Sequence, residues 1–346
     1  MSSIKSRTSE LTHVTFATSG PRRLTRPNVT SVSANRNLLQ FLGWMLQPGR
    51  PDPDKWYKRH LADAVAPSTD FVSPAARKFI DLAASVLAEQ DESLLQVVRA
   101  GAINCYVRDR QLKAVMSRYP SWRPEVEISG TIPHTATQSG KRPIVYWTDN
   151  TVFAPLIGRL AVHHLGVRAT QFSDHVHGDG HTWLGKLTLQ RLNFALENRY
   201  TASRLVSGPS THFNAMRRLA GSARTDAAFF MNNNAFIGRR FACTRLDDQL
   251  CFVQATAPLT MTRHYNAVII PLTVLETTPF EKFSVQFHQP LQADLSLSKD
   301  DDIRRMALLS TQRQMSAIKE SPEQWLCWTS GQFAQPADGK LHRPAM

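Results

Sequence analysis

The feature that most constrains the fold is an alternation of short apolar runs and helical segments that begins near Arg142. Runs rich in β-branched and aromatic residues occur at Ile144–Tyr146, Val167–Phe172 and Ala227–Met231. Helical patterns separate them, and connections of this kind join strands that run parallel. We therefore predict an α/β fold with a mainly parallel central sheet flanked by helices. Further strands are predicted at Arg204–Val206, Ala267–Leu275 and Phe283–Phe287, and helices at Thr151–Leu165, Leu184–Tyr200, Ser210 to about Gly221, Thr260–Tyr265 and Lys299–Glu320.

Changes in composition divide the rest of the chain. Residues 1–34 are rich in Ser, Thr and Arg without a sustained period, which predicts a disordered basic tail. From 35 to 120 apolar residues recur at helical spacing, which predicts a helical N-terminal subdomain, including a helix from Ser73-Pro74 through Leu87. Residues 121–141 are predicted to be an irregular connection, 142–330 the α/β domain and 331–346 a flexible tail.

The charge of the chain indicates an anionic partner. The formal net charge is +13, and such a surface attracts acidic proteins, anionic membranes or nucleic acids. Lys and Arg are scattered and no nucleic-acid motif is found, so we expect no specific nucleic-acid partner. The sequence has no apolar run of about 18 residues and its cysteines form no CxxC pair. We expect a cytoplasmic protein, either free or peripheral on the inner membrane face.

The stretch SDHVHGDGHTW at 173–183 concentrates histidines and aspartates. Its order H-x-H-x-D-x-H resembles the H-x-H-x-D-H run of metallo-β-lactamase-type hydrolases, so a metal-dependent hydrolase using the His175–His181 loop is one hypothesis. Gly180 interrupts that pattern and would turn the last ligand away, and we predict no metal site. Acid–base catalysis by a histidine and a solvent-exposed polar turn are the other interpretations.

Parallel strands would gather polar residues at one edge of the sheet, because the loops after their carboxyl ends converge there. Asp149 follows the first predicted strand, the histidine loop follows the second, and three asparagines follow Ala227–Met231. A histidine near a carboxylate is the usual unit of proton transfer, and arginines can contact anionic groups. The candidate residues are Asp149, His175 and His177 for catalysis, and Asn232, Asn233, Asn234, Arg204, Arg239 and Arg240 for substrate binding.

Three C-terminal segments resemble lysophospholipid acyltransferase-like proteins. They are NAVIIPL at 266–272, FSVQFHQPL at 283–291 and SPEQWLCW at 321–328, and they occur in that family's order at similar spacing. The likeness is closest to the lipid A late-acyltransferase branch and covers about 142–328, with the PEQW segment the most specific part. The resemblance implies transfer of an acyl chain from an acyl-thioester donor to a lipid or glycolipid acceptor. The donor would be acyl carrier protein or acyl-coenzyme A, and no other cofactor is implied.

The chain departs from this family at the general base. The family has a histidine followed five residues later by Asp or Glu, just after the first strand. Here Asp149 stands where the histidine is expected and Ala154 where the acid is expected, and no histidine in the chain has Asp or Glu at that spacing. Two hypotheses stay open. Either the protein is a catalytically inactive lipid- or carrier-binding protein, or the base has moved, with Asp149 orienting His175 or His177.

Overall fold

A computed structural model shows a mixed α/β fold built on a seven-stranded sheet. The predicted α/β class with a mainly parallel central sheet is confirmed for the part of the chain that is described. The structure describes residues 14–18, 74–99, 101, 123–131, 142–174, 186–187, 189–207, 217–218, 221, 227–233, 240–246, 250–278, 281–328, 332–337 and 340–342.

Strands and helices alternate between residues 144 and 207, as the apolar pattern predicts, whereas it does not predict the strands at 240–245 and 251–255. The strands are β1 Val14–Thr18, β2 Glu125–Gly130, β3 Ile144–Thr148, β4 Ala169–Asp174, β5 Thr201–Ser207, β6 Ala228–Asn232, β7 Arg240–Arg245, β8 Cys251–Ala255, β9 Val268–Thr278, β10 Lys282–Phe287, β11 Phe333–Ala337 and β12 Lys340–His342. The helices are α1 Pro74–Leu87, α2 Ala154–His164, α3 Leu189–Glu197, α4 Ala257–Tyr265 and α5 Lys299–Glu320, with short 3-10 turns at Asn198–Tyr200, Pro322–Gln324 and Leu326–Trp328.

The main sheet has the order β2-β10-β9-β3-β6-β4-β5. Every neighbouring pair runs parallel except β9 and β10, which form an antiparallel hairpin. β3 lies at the centre and is buried along its whole length, as expected for a strand covered on both faces. Its Thr148 is in register with Asn232 of β6 and Leu272 of β9. The residues that follow these positions therefore lie side by side at one edge.

Helices cover both faces of this sheet. On one face α2 packs over Tyr146 and Phe230, and Gly158 lets the helix approach closely. A Cβ at Gly158 would lie 2.9 Å from Cδ1 of Leu272 and 3.0 Å from Cζ of Phe230, so a side chain there would force these two side chains to shift. On the other face α4 and α5 pack over a layer that includes Trp147.

Helix α5 lies between the main sheet and a second sheet. β1, β12, β11, β8 and β7 form a five-stranded sheet that closes on itself. Ile303 and Met306 of α5 pack against the main sheet, whereas Thr311 donates a hydrogen bond to Oγ1 of Thr244 in β7 at 3.0 Å. Gln254 Nε2 of β8 donates to Oγ1 of Thr311 at 2.5 Å. The helix thus fixes the two sheets against each other.

Sequence and structure agree on the limits of α5 because its first turn carries strong local signals. Ser298 caps the helix by accepting a hydrogen bond from the Asp301 N–H at 3.2 Å. Three aspartates, Asp300, Asp301 and Asp302, occupy the first turn, where the helix dipole favours negative charge.

Three segments predicted to be irregular contain strands. β1 lies within residues 1–34, β2 within 121–141, and β11 and β12 within 331–346. These strands are short and lie at the sheet edge or in the second sheet. Apart from the β11–β12 hairpin, their partners are far away in sequence, so local pattern does not reveal them. β2, for example, turns only Val126 and Ile128 towards the core.

Part of the N-terminal region can be compared with its prediction. α1 confirms the predicted helix that ends at Leu87, and residues 92–99 are also helical. The remainder of the predicted subdomain at 35–120, and most of the predicted helix from Ser210, lie outside the described residues. Among the described helices, none has both the length and the apolar content needed to cross a bilayer.

Candidate functional site

The centre of the candidate site is a buried ion pair at the carboxyl end of β3. Asp149, which directly follows this strand, has no exposed surface. Arg313 of α5 binds its carboxylate with both terminal nitrogens, Nη1 to Oδ2 at 2.6 Å and Nη2 to Oδ1 at 2.7 Å. Two parallel charge-assisted hydrogen bonds of this kind hold a carboxylate in a fixed orientation.

Two further side chains extend this ion pair. The hydroxyl of Thr273, in β9, donates to Oδ2 of Asp149 at 2.6 Å and lies 3.2 Å from Nη1 of Arg313. The same hydroxyl lies 2.9 Å from Nε2 of His288, the residue that follows β10. The backbone N–H of His288 donates to the Pro271 carbonyl at 2.9 Å, which fixes the position of the residue against β9. We call Asp149, Arg313, Thr273 and His288 the Asp149 cluster.

The sheet topology explains why these residues meet. Since Thr148 is in register with Leu272, the next residues, Asp149 and Thr273, are adjacent and project from the same face by strand alternation. This is the face covered by α5, which supplies Arg313. The β9–β10 hairpin then brings His288 opposite Pro271.

His288 is neutral at physiological pH in this setting. Burial lowers its pKa, and the positive charge of Arg313 lowers it further, while Asp149 opposes the change; the resulting pKa is about 4. A histidine with that pKa keeps an uncharged ring throughout the neutral range. It can therefore offer one lone pair and one N–H to its surroundings.

Asparagines after β6 add unused hydrogen-bonding capacity to the same edge. Asn233 is almost fully buried, yet neither polar atom of its side chain has a partner among the described residues. The buried Oδ1 of Asn232 is also without a partner there. Asn233 follows β6 at the same level as Asp149, as its N–H donates to the Thr148 carbonyl at 2.8 Å. Buried polar groups are seldom left unpaired, and binding sites are one place where they occur.

The loop after β3 is held by the segment that contains the PEQW sequence. The Val152 N–H donates to the Gln324 carbonyl at 2.9 Å, and the Leu326 N–H donates to the Asn150 carbonyl at 2.9 Å. Phe153, at the end of this loop, is buried with a φ of 59°, a conformation that non-glycine residues rarely adopt. Such backbone strain persists where the surroundings fix it, and it is frequent near functional sites.

The structure places some predicted site residues at this edge. Asp149, Asn232 and Asn233 come together there, as the parallel topology predicts. His175, His177, Asn234 and Arg239 lie outside the described residues. A base in the histidine loop therefore stays a prediction, and a metal site at His175–His181 stays an alternative hypothesis. Among the described residues, no group of three or more His, Cys, Asp or Glu side chains is placed to hold a metal ion.

Two predicted anion-binding arginines have other contacts. Arg204 of β5 donates to Glu197 Oε2 at 2.7 Å and to Ser173 Oγ at 2.8 Å, and its guanidinium lies 4.1 Å from the ring centre of Phe194. Arg240 pairs with Asp300 at 2.9 Å on the surface of the second sheet. Neither contacts the Asp149 cluster.

Sequence reasoning missed three members of the cluster. Thr273 and His288 carried a usable signal. Thr273 belongs to a predicted strand that neighbours β3, and His288 directly follows the next predicted strand, Phe283–Phe287. The predicted strand Ala267–Leu275 already includes Thr273, and its register with β3 places Thr273 level with Asp149. Arg313 gave no signal, since it lies on a helix far along the chain and its side-chain direction depends on how α5 packs.

The comparisons with known proteins do not assign the chain to a family. No protein-family model matches the chain, and no curated protein matches it. The resemblance to acyltransferase-like proteins stays a prediction, and the function is therefore inferred from the residues and their geometry.

Proposed function

We propose that the protein is an acyltransferase-like enzyme that transfers an acyl chain from an acyl-thioester donor to a hydroxyl or amine of a lipid or glycolipid acceptor. The observation that carries this proposal is the hydrogen-bonded series Asp149–Thr273–His288. It brings a buried carboxylate and a neutral imidazole to the sheet edge where Asp149 takes the place of the expected histidine. Acyl transfer needs a group that removes a proton while the acceptor attacks the thioester carbonyl.

Other features of the same edge suit this chemistry. The Asn233 side chain has an amide donor without a partner among the described residues, and such donors stabilise the oxyanion that forms when a thioester is attacked. The proposed donors, acyl carrier protein and acyl-coenzyme A, are both acidic. The net charge of +13 favours their approach and also favours an anionic membrane surface that would hold a lipid acceptor.

The first test is release of free thiol by the purified full-length protein. Decanoyl, myristoyl and palmitoyl thioesters of coenzyme A and of acyl carrier protein are supplied with and without a lysophospholipid or a lipid A-type glycolipid. We expect thiol release that requires both protein and acceptor. The Asp149→Asn/Arg313→Gln double variant should lose about a hundredfold or more of this rate, in the range typical of removing acid–base catalysis.

A matched control separates chemistry from surface charge. Lys282 and Glu125 form an ion pair on β10 and β2, with side chains 52% and 64% exposed. Lys282→Gln should turn over thioester like the wild type. Equal rates in the double variant and the wild type would contradict a role of the Asp149 cluster in acyl transfer.

A second function, binding without catalysis, is favoured by one observation. Arg313 occupies both carboxylate oxygens of Asp149, which neutralises the group that stands in the place of the expected base. A lipid- or carrier-binding protein would retain acyl carrier protein or lipid in a pull-down and a native mass spectrum, yet release no thiol. Acceptor-dependent thiol release would exclude this alternative.

A further inference from the structure

We propose that His288 is the general base of the site and that its Nδ1 is the atom that accepts the proton. This inference rests on the proposed acyl transfer, because a base acts only on an acceptor. It replaces an undefined position in the histidine loop with a residue whose contacts are described. It also gives Asp149, Arg313 and Thr273 the role of positioning residues.

The hydrogen bonds of Thr273 fix which nitrogen of His288 carries the proton. A threonine hydroxyl has one hydrogen to donate and two lone pairs to accept with. Its hydrogen goes to Oδ2 of Asp149 at 2.6 Å, because a carboxylate paired with arginine has no proton to give. Nη1 of Arg313, at 3.2 Å, can only donate. The contact with His288 Nε2, at 2.9 Å, is therefore an N–H donating to Thr273, and Nδ1 holds the lone pair.

The lone pair on Nδ1 is available. No hydrogen bond to Nδ1 is found among the described residues, and the side chain is half-buried rather than enclosed. The charged groups that face the ring are Arg313 from α5 and Asp149 from β3, and the first lowers the pKa more than the second raises it. The ring is thus unprotonated at neutral pH, and its protonated form is acidic enough to return the proton readily.

Other described histidines have different surroundings. His163, at the end of α2, packs against Tyr200 with ring centres 5.7 Å apart, and His264, on α4, packs against Tyr265 at 4.6 Å. Neither bonds to Asp149 or Thr273. His288 is assigned as the base because of its hydrogen bond to Thr273, which His163 and His264 do not make.

His288 carries one proton from the acceptor to the leaving group. Nδ1 of His288 takes the proton of the acceptor hydroxyl while the acceptor oxygen forms a bond to the thioester carbonyl carbon. The tetrahedral intermediate then collapses and the carbon–sulfur bond breaks. The leaving thiolate takes the proton from Nδ1, which gives an ester, a free thiol and the neutral ring again. Asp149 and Thr273 hold the ring in one tautomer during both transfers.

A direct test reads the tautomer without relying on turnover. Long-range ¹H–¹⁵N NMR spectra of full-length protein with ¹⁵N-labelled histidine report which nitrogen carries hydrogen, and the His288→Gln spectrum assigns the signal. We expect the Nε2–H tautomer at pH 7 and a pKa well below that of an exposed histidine. An Nδ1–H tautomer, or protonation near pH 6.5, would overturn the assignment whatever the enzyme activity is.

Turnover then tests the role. His288→Gln keeps an amide donor near Thr273 but has no basic nitrogen, so the rate of thiol release should fall by about 10² to 10⁴-fold. Thr273→Val should slow turnover, whereas Thr273→Ser, which keeps the hydroxyl, should restore it. In the wild type kcat/KM should stay level down to about pH 5, whereas a base with an ordinary histidine pKa would fail below about pH 6.5.

The two proposals fail in different ways. Wild-type turnover that survives His288→Gln would overturn the assignment of the base and leave acyl transfer standing. No turnover by the wild type with any thioester and acceptor would overturn acyl transfer and the base with it. Turnover lost in His288→Gln but retained in Thr273→Ser supports both.

Discussion

At the scale of single residues, the site is built around the ion pair of Asp149 and Arg313, which has little contact with water. The side chain of Arg313 is 13% exposed and that of Asp149 is fully buried. A buried pair contributes modestly as a pair, but removal of one partner leaves an uncompensated charge. The effect of substituting Asp149 or Arg313 on the free energy of unfolding therefore depends on whether the other residue keeps its charge.

Asp149→Asn should destabilise the protein by about 2–4 kcal/mol, because it leaves Arg313 without its counter-charge. The Asp149→Asn/Arg313→Gln double variant should recover at least half of that loss. Urea denaturation followed by circular dichroism measures the free energy of unfolding of both variants. Lys282→Gln, at an exposed ion pair, should leave the free energy of unfolding close to that of the wild type. A double variant less stable than Asp149→Asn would contradict this account.

Because the pKa of His288 is lowered on folding, the free energy of unfolding of the protein depends on pH. The histidine pKa falls from 6.5 to about 4 on folding, so the unfolded chain binds more protons than the folded protein between these values. Stability is therefore lost as the pH falls from about 6.5 towards 4. Between pH 7 and pH 5 the wild type should lose about 1 kcal/mol more than His288→Gln, after allowance for the ring's partial exposure. Parallel pH–stability curves for the two proteins would refute the lowered pKa.

At the scale of elements, the PEQW segment acts as a support for β9. Gln324 Oε1 accepts the Glu276 N–H at 2.8 Å, and Gln324 Nε2 donates to the Glu276 carbonyl at 3.0 Å. A side-chain amide thereby pairs with the strand as another strand would. The PEQW segment therefore helps to hold β9 in place next to the candidate site.

Gln324→Glu should cost about 1–3 kcal/mol, because it replaces a donor with a carboxylate facing the Glu276 carbonyl. Gln312→Glu makes the same chemical change at an exposed position of α5 and should stay within about 0.5 kcal/mol of the wild type. Thermal unfolding compares the two variants. Equal shifts in Tm would show that the contact with β9 contributes nothing.

The elements differ in how well the sequence predicts them. α5 has a capping serine and an acidic first turn, and the apolar runs of β3, β6 and β9 are buried in the sheet. Their local sequence patterns are therefore enough to predict them. β2 is defined by its distant partner β10, and the β11–β12 hairpin joins its sheet through the distant strands β8 and β1. The same distinction holds at the site: strand order predicts that Asp149 meets Asn233, whereas Arg313 reaches it through the packing of a helix.

At the scale of the whole molecule, the net charge of +13 is the property with the broadest consequence. Vesicles containing an anionic phospholipid should bind the protein, while vesicles of phosphatidylcholine should not. Raising the salt concentration from about 0.05 to 0.5 M should weaken binding about tenfold or more, because the charges are screened. Cosedimentation measures both. Binding to neutral vesicles that is indifferent to salt would point to apolar insertion instead.

The contact between the loop after β3 and the PEQW segment limits when the site can form while the chain is being synthesised. Asn150 receives its hydrogen bond from Leu326, which the ribosome adds much later. At about 5–20 residues per second, roughly 10–35 s pass between the two. For most of that interval the nascent chain holds the central strand but lacks Arg313 and the closing segment. The site can therefore be completed only after Arg313 and Leu326 have been synthesised.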